Sequence, residues 1–535
     1  MKTLINKYLN ILQMKKILIF LTGIILLASC SEDFMDLNPP SNLNSAGFYN
    51  TQKEINQAVL STYGNLRSVY NARYIELGEI RSDNTTYSWL PGNPADQKGI
   101  DEFASPLLAD NGYTTGTWDS SYETIMRANI VIDRIDQATF TNESLRNQYK
   151  AEAKFIRALT YFYLNRIFGG VDLNGQLSGV IKVDKEISPR ESYELERVPL
   201  QEMYDLIVED LEFAEQYLPD SYASSDKGRV TNGGATGLLG KVYMTMAGYP
   251  LNKGNAYYTL AIQKFQEIIS DPRYSLATSY KDLFDVTKKN STESLFEVQY
   301  KKGSPGGATG SPWNNSFAPR FSDKEVVLVG NKGAMNSPTG TMSSAYEMAD
   351  PRKYVSMRDG WINSTTGAWE TERYVCKYYD VATSGSDNGN NWIELRLADI
   401  YLLYAEALVR TGGDKSTALS YLNKIRQRAL NTPGDPDIIA PPDLLKDYEL
   451  TDFADDQAFL LAIENERRVE LAFENNRWFD LVRTGRAKDV MLVSQVANGF
   501  PAFAWSDDMM TYPIPMTVMQ SNAGKIIQNQ GYTQL

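Results

Sequence analysis

The sequence predicts an all-α-dominated protein: a tetratricopeptide-like scaffold of helix pairs, carrying long irregular loops and a few short strands. Three observations predict it. Apolar residues recur with helical period through most of the chain beyond residue 50. Pairs of such stretches, joined by glycine-containing turns, make units of about 34 residues. Between the periodic stretches lie long blocks with Ser-Pro, Gly-Gly, Asn-Asn and Thr-Gly pairs, which interrupt regular structure.

The elements follow in order. Helical signals cover 51–67, 120–137, 149–168, 199–217 and 456–488. The helix over 149–168 places Phe155, Leu159 and Phe162 on one stripe and stops at Gly169-Gly170. Residues 235–270 read as one helix pair turning at Gly248-Tyr249-Pro250. A second pair spans 397–429. Ile400, Leu403, Tyr404, Ala407 and Leu408 form its first stripe, and Ala418, Leu422, Ile425 and Ala429 its second. Thr411-Gly412-Gly413-Asp414 supplies the stop and start between them. Residues 81–118 and 272–392 lack helical stripes and carry the tryptophans Trp89, Trp118, Trp313, Trp361 and Trp369. Within the second block, 294–300 alternates as a short strand.

Composition excludes much chemistry. None of the 535 residues is histidine, which removes Ser-His-Asp and Cys-His nucleophile pairs, His-Glu-x-x-His zinc sites and imidazole relays. Only Cys30 and Cys376 are cysteines, so there is no disulfide framework and no Cys-x-x-Cys site; Cys376 reads as a half-buried free thiol. The formal charge of −13 argues against nucleic acid as a partner. Gly237-Leu238-Leu239-Gly240-Lys241 is not a phosphate loop, because Ala235 stands where its first glycine is needed and Val242 replaces the Ser or Thr. No cofactor is expected. A glycosidase-type carboxylate pair needs only two acids across a bond, but no spacing among the 66 acidic residues singles one out. No enzymatic activity is expected.

The amino terminus reads as an export leader. Met14-Lys15-Lys16 is followed by an apolar run to Ala28 that is too short for a bilayer span of about 20 residues. Either Met1 or Met14 can be the start. Leu27-Ala28-Ser29-Cys30 is similar to the lipobox of bacterial lipoproteins, a resemblance that implies cleavage before Cys30 and its lipidation. Ser31-Glu32-Asp33 behind it resembles a surface-export signal of Bacteroidetes lipoproteins.

Four stretches carry a wider resemblance. They are the lipobox with Asp36-Leu37-Asn38-Pro39-Pro40; Glu152-Ala153-Lys154-Phe155-Ile156-Arg157-Ala158; Arg396-Leu397-Ala398-Asp399-Ile400 with Tyr404-Ala405-Glu406-Ala407 and Leu422-Asn423-Lys424-Ile425-Arg426; and Glu466-Arg467-Arg468-Val469-Glu470-Leu471 with Arg477-Trp478-Phe479-Asp480-Leu481-Val482-Arg483, Pro513-Ile514-Pro515 and Gln528-Asn529-Gln530-Gly531-Tyr532. In this order they resemble the SusD/RagB family of outer-membrane nutrient-binding lipoproteins of Bacteroidetes. The resemblance implies a helical body on the outer leaflet of the outer membrane, facing the cell exterior. It also implies an oligosaccharide ligand and a SusC-like TonB-dependent transporter as partner. The expected organisation is 1–29 signal peptide, 30–50 lipidated tether, 51–271 helical scaffold with loop 81–118, 272–392 loop-rich ligand-binding insertion, and 393–535 C-terminal helical SusD/RagB-like part.

The charged motif residues read as structural. Glu464 and Arg468, Glu466 and Glu470, and Arg467 with Glu470 stand at spacings that give ion pairs along one helix, latches if buried, and Arg477-Trp478 and Asp480 belong to a core junction. A sugar site needs aromatic rings and planar polar groups, so candidates come from the loops: Trp89 with Tyr87 and Asn93, Arg81 and Asp83 just before them, Trp313 with Asn314 and Asn315, and Trp361. Two other roles stay open: a groove that captures peptide, and a transporter lid without its own ligand.

Overall fold

The computed structural model describes residues 48–534 apart from 88–94, 174, 325, 329, 349, 382–386, 434–444 and 523; Cys30, Trp89 and Asn93 lie outside the described residues. Eight helices form the backbone of the scaffold: α1 Gln52–Val69, α2 Gly112–Arg134, α3 Glu143–Phe168, α4 Leu200–Tyr217, α5 Asn232–Ala247, α6 Asn255–Ile269, α7 Leu397–Arg410 and α8 Lys415–Leu430. Each packs on the next in the chain, from α1 against α2 to α7 against α8, so the helix pairs stack in one continuous array. Among the described residues no helix is long and apolar enough to cross a membrane.

Local chemistry sets the boundaries. At the start of α1, Thr51 Oγ1 accepts from the Glu54 N–H (3.3 Å) and the Glu54 carboxylate accepts from the Thr51 N–H (3.0 Å), a reciprocal cap. Between α7 and α8, Gly412 adopts φ +70° and the Asp414 side chain accepts from the N–H groups of Ser416 (3.0 Å) and Thr417 (3.2 Å). The stripes read from the sequence on α7 and α8 are buried, as are Phe155, Leu159 and Phe162 on α3. Each large aliphatic side chain so buried contributes roughly 1.5–3 kcal/mol. Polar groups also tie the layers: Lys154 and Arg157 of α3 both reach Asp210 of α4, at 2.6 and 2.7 Å.

The strands are short. β1 Val171–Leu173, β2 Gln176–Ile181 and β3 Arg197–Pro199 form one antiparallel sheet in that order. β4 Ser294–Val298 is the strand expected within 294–300, and it pairs antiparallel with β5 Trp392–Arg396, Trp392 opposite Val298. β5 runs straight into α7. The segment between β4 and β5 is therefore an excursion whose two ends are clamped side by side on the helical body.

Three expectations change. α2 begins at Gly112, where the Asn111 side chain caps it, so Trp118 is a helix residue packed on Phe168 and Tyr122 and not part of a loop. The signal over 456–488 is broken into α9 Asp456–Glu470 and α10 Arg477–Arg483, because Phe473 and Asn475 between them take left-handed φ of +65° and +59°. The helix α11 Ala487–Ala497 follows. Finally, the charged residues of α9 do not pair along their own helix. Glu466 binds Arg352 (2.6 Å) and Arg426 (3.0 Å), Glu470 binds Arg396 (2.6 Å) and also Arg352 and Arg428, and Arg468 binds Asp83 (3.0 Å). They are latches between elements. Burial alone would raise the Glu470 carboxyl, but Arg428, Arg396 and Arg352 together hold it well below its ordinary value.

Candidate functional site

The two loop blocks meet. Thr85 and Thr86 pair antiparallel with Pro338 and Ser337, the Thr339 N–H donates to Asn84 O (2.9 Å), and the Thr339 hydroxyl donates to Asp83 O (2.8 Å). The carboxylate of Asp101, at the end of the short helix Ala95–Asp101, accepts from the Thr86 hydroxyl (2.6 Å) and the Tyr87 N–H (2.9 Å). Tyr87 is thus held by backbone pairing on one side and a buried acid on the other. Burial pushes the Asp101 carboxyl up to about 7, although both hydrogen bonds favour its ionised form.

The floor comes from an irregularity in the first helix. After Val69 the chain widens into a π-type turn over Tyr70–Tyr74 before resuming as Ile75–Glu79, and Arg73 within the turn takes φ +86°. Such turns interrupt the regular ladder and re-aim side chains. Arg73 Nη1 donates to Glu76 Oε1 (3.2 Å) and to Met335 Sδ (3.3 Å), and its guanidinium lies 5.5 Å from the Tyr113 ring centroid. The other Glu76 oxygen, Oε2, is buried without a hydrogen-bond partner. Gln97 donates to the Tyr113 hydroxyl. Burial raises the Tyr87 hydroxyl, and the neighbouring charges of Arg320 and Arg73 oppose that rise. Arg73, Glu76 and Tyr113 therefore form one cluster that touches Met335 of the second block, and the charges of Arg73 and Arg320 act on the Tyr87 hydroxyl beside it. Phe321, next in the chain to Arg320, is 74% exposed. Two phenol edges, two guanidinium groups and a carboxylate can together hold hydroxyl pairs, and an exposed ring such as that of Phe321 can pack on an apolar sugar face.

Of the residues expected at a site, Tyr87 stands beside this cluster and others are placed elsewhere. Arg81 is buried, donating to the carbonyls of Gly99 (3.2 Å), Ile100 (3.0 Å) and Met509 (3.0 Å) with its guanidinium 3.9 Å from the Phe103 centroid. Asp83 is buried in a bidentate pair with Arg477 (2.7 and 3.0 Å). Trp313 lies 2% exposed between Tyr300, Tyr378 and Trp392, where it anchors the short helix Trp313–Phe317. Asn314 donates to Asp380 O (2.8 Å) and Asn315 to Asn331 O (3.2 Å), so both hold backbone. Trp361 is buried in a small cluster with Ala318, Val326 and Val327. These groups were expected on rims; each instead satisfies an internal contact that the loops need in order to hold shape. Arg73, Glu76, Tyr113, Arg320 and Phe321 were not singled out. Helical period gives no sign of a widened turn at Tyr70–Tyr74, and an exposed Phe beside an Arg is a common surface pair.

An all-α array of helix pairs bearing a polar-aromatic patch on converged loops defines a class of solute-binding scaffolds, and the comparisons place the chain within it. Residues 310–532 match the model of the SusD family, and residues 33–244 match a model described as starch-binding associating with outer membrane. The chain belongs to the SusD/RagB family. A SusD-like protein of Bacteroides ovatus is 29% identical over 511 residues, covering 89% of this chain and 83% of that protein. SusD-like protein P25 of Formosa agariphila is 25% identical and covers 96% of this chain and 97% of its own length. Among solved structures, surface glycan-binding protein A from Bacteroides thetaiotaomicron superposes with a TM-score of 0.74 at 22% identity, covering 90% of this chain and all of that one. A laminarin-binding SusD-like protein superposes at 0.71 with 25% identity, covering 90% and 100%.

Proposed function

We propose that this chain is a non-catalytic oligosaccharide-binding lipoprotein of the outer membrane. It is anchored through Cys30, faces the cell exterior, and hands its ligand to a SusC-like TonB-dependent transporter. The observation that carries the reading is the meeting of blocks 81–118 and 272–392 next to Tyr87, where Arg73, Glu76 and Tyr113 cluster and the charge of Arg320 also acts; Phe321, next in the chain to Arg320, offers an exposed ring. Rings and planar charged groups of this kind suit the apolar faces and paired hydroxyls of a sugar chain. The family supports it: one matching model describes starch binding with outer-membrane association, and a structural relative is named for laminarin. Trp89, two residues after Tyr87, joins the proposed site from the sequence alone.

Isothermal titration with laminarin and starch oligosaccharides tests it, with Phe321→Ala, Arg73→Ala and Trp89→Ala. Loss of one well-placed contact should weaken binding about tenfold, equivalent to about 1.4 kcal/mol. Unchanged affinity in all three variants would refute the site. Binding of extended peptides in place of every glycan, or of the transporter alone, would refute the ligand class.

A further inference from the structure

A second cleft, of about 610 Å³, lies within the 272–392 block, and none of the Tyr87 cluster lines it. Its walls include Phe284, Tyr354, Arg358, Tyr374, Cys376 and Tyr379. The frame is a short antiparallel pair, Met357–Arg358 with Tyr374–Val375, in which Tyr374 stands directly opposite Arg358. Residues so paired project to the same face. Tyr354 comes from the preceding helix Pro351–Ser356, and the Arg358 guanidinium lies 3.5 Å from its ring centroid. Stacking of this kind fixes the plane of an arginine while leaving its edges open.

The charges in the cleft are unequal in their commitments. Arg358 uses only Nη1, toward Met357 O (3.3 Å) and Cys376 Sγ (3.4 Å). Its Nε and Nη2, the edge that takes a carboxylate or sulfate in bidentate form, carry no hydrogen bond to the described residues and are not buried, and no described carboxylate pairs with it. The acids nearby are occupied. Asp380 binds Lys302 (2.8 Å) and the Gly389 N–H (2.7 Å), and Asp285 accepts from the N–H (2.8 Å) and hydroxyl (2.7 Å) of Thr287. Lys377, a wall cation whose side chain is buried, is bound to Glu474. Lys281 stands exposed at the rim. Tyr354, Tyr374 and Tyr379 all line this one cleft, and burial raises the Tyr374 hydroxyl while the Arg358 charge opposes that rise. Tyr379 is 54% exposed at the mouth.

We propose that this cleft is a second saccharide subsite, separate from the Tyr87 cluster, which takes an anionic sugar residue by bidentate contact of its charged group with Arg358 and by packing of its ring on Tyr379. The shared chemistry is a planar or tetrahedral oxyanion on a pyranose, present either as a uronate carboxylate or as a sulfate ester. The subsite does not depend on the Tyr87 cluster, and its failure would leave that reading untouched.

The test titrates the full chain with three probes: a tetramer of galacturonic acid, a sulfated galactan tetrasaccharide and a neutral galactan tetrasaccharide. At least one acidic probe should bind at least tenfold more tightly than the neutral one, weaken as salt rises, and lose that advantage in Arg358→Gln while Arg358→Lys restores part of it. The acidic probe that binds names the source of the charge. Tyr379→Ala, at an exposed position that folding does not require, should weaken the same probe several-fold. Cys376 offers an independent readout: saturating ligand should slow its alkylation by N-ethylmaleimide several-fold, followed by mass spectrometry of the peptide that contains it. Equal affinity for acidic and neutral probes, equal affinity in both Arg358→Gln and Tyr379→Ala, or an unprotected Cys376 would overturn the proposal. Binding of laminarin oligosaccharides should stay unchanged in Arg358→Gln and fall in Phe321→Ala, which separates the two sites.

Discussion

Replacing Asp83 by asparagine asks whether this carboxylate serves a ligand or the fold. Its two oxygens meet Arg477 Nε (2.7 Å) and Nη2 (3.0 Å), and Oδ2 also meets Arg468 Nη2 (3.0 Å). Burial by itself would raise the carboxyl, but Arg477 and Arg468 lower it from 3.8 to about 2. A displacement of that size corresponds to about 2.5 kcal/mol of preferential stabilisation of the charged form. Asp83→Asn removes the charge and leaves two buried guanidinium groups facing a neutral amide, so the loss should reach about 3–5 kcal/mol. Burial has already lowered Arg468 to about 10, so it stays charged at neutral pH and does not escape the penalty by deprotonating. The folded-state value is depressed, so the contribution is complete above about pH 4 and disappears as pH falls through about 2. Guanidinium unfolding followed by tryptophan fluorescence should therefore show a large loss of stability in Asp83→Asn at pH 7. The difference from wild type should narrow steadily toward pH 2. Glycan affinity per folded molecule, measured by titration calorimetry below the unfolding transition, should not change. A variant that unfolds at the wild-type midpoint but no longer binds glycan would refute this reasoning and return Asp83 to the ligand.

Three further outcomes are expected. Trp313→Ala removes a ring held among Tyr300, Tyr378 and Trp392 and should cost about 3–5 kcal/mol in chemical unfolding without altering glycan affinity; a change in affinity alone would contradict its place in the core. Glu79 is buried and its carboxyl is pushed by that burial from 4.5 up to about 7, so the folded state holds a proton that the unfolded chain releases between these values. Its contribution is greatest below about pH 4.5 and fades as pH rises through 7, and Glu79→Gln should flatten the stability profile in that window by up to about 3 kcal/mol; Asp101, also near 7, titrates in the same range and calls for the matching Asp101→Asn control. Gly248→Ala would set a Cβ 2.1 Å from the Arg483 carbonyl oxygen, which already accepts from the Tyr249 N–H, so the contact between the α5–α6 turn and α10 must open. Thermal unfolding should show a loss of about 1–3 kcal/mol, and a midpoint equal to wild type would show that the turn can move freely.

Much of the scaffold was legible because it depends on local spacing. The stripes on α7 and α8 are set by a 3.6-residue period, and the turn between them by one glycine in the left-handed region and one capping aspartate. The strand at Ser294–Val298 was legible for the same reason, through alternation. The break after Glu470 was not. Leu471 to Glu474 keep a helix-like composition; the Asn475-Asn476 pair is the one local sign of a stop, and it does not account for the positive φ already taken by Phe473. The proposed site was half legible. Its two loop blocks and Tyr87 could be read from composition, whereas Arg81, Asp83 and Trp313 could not be told from ligand contacts. Their identity suits either task, and burial decides between the two.

By itself, then, the chain's order of residues determined what short-range geometry and chemistry can determine: helix pairs, their caps, the absence of histidine chemistry and the blocks left free of regular structure. Which charged residues on α9 meet which arginines, how residues 256 apart such as Asp83 and Thr339 come to share a hydrogen bond, and which rings face solvent were settled only by the tertiary structure. Ion pairing and burial depend on distance in space, and in a stacked helical array that distance is set by packing across elements that the linear sequence keeps apart.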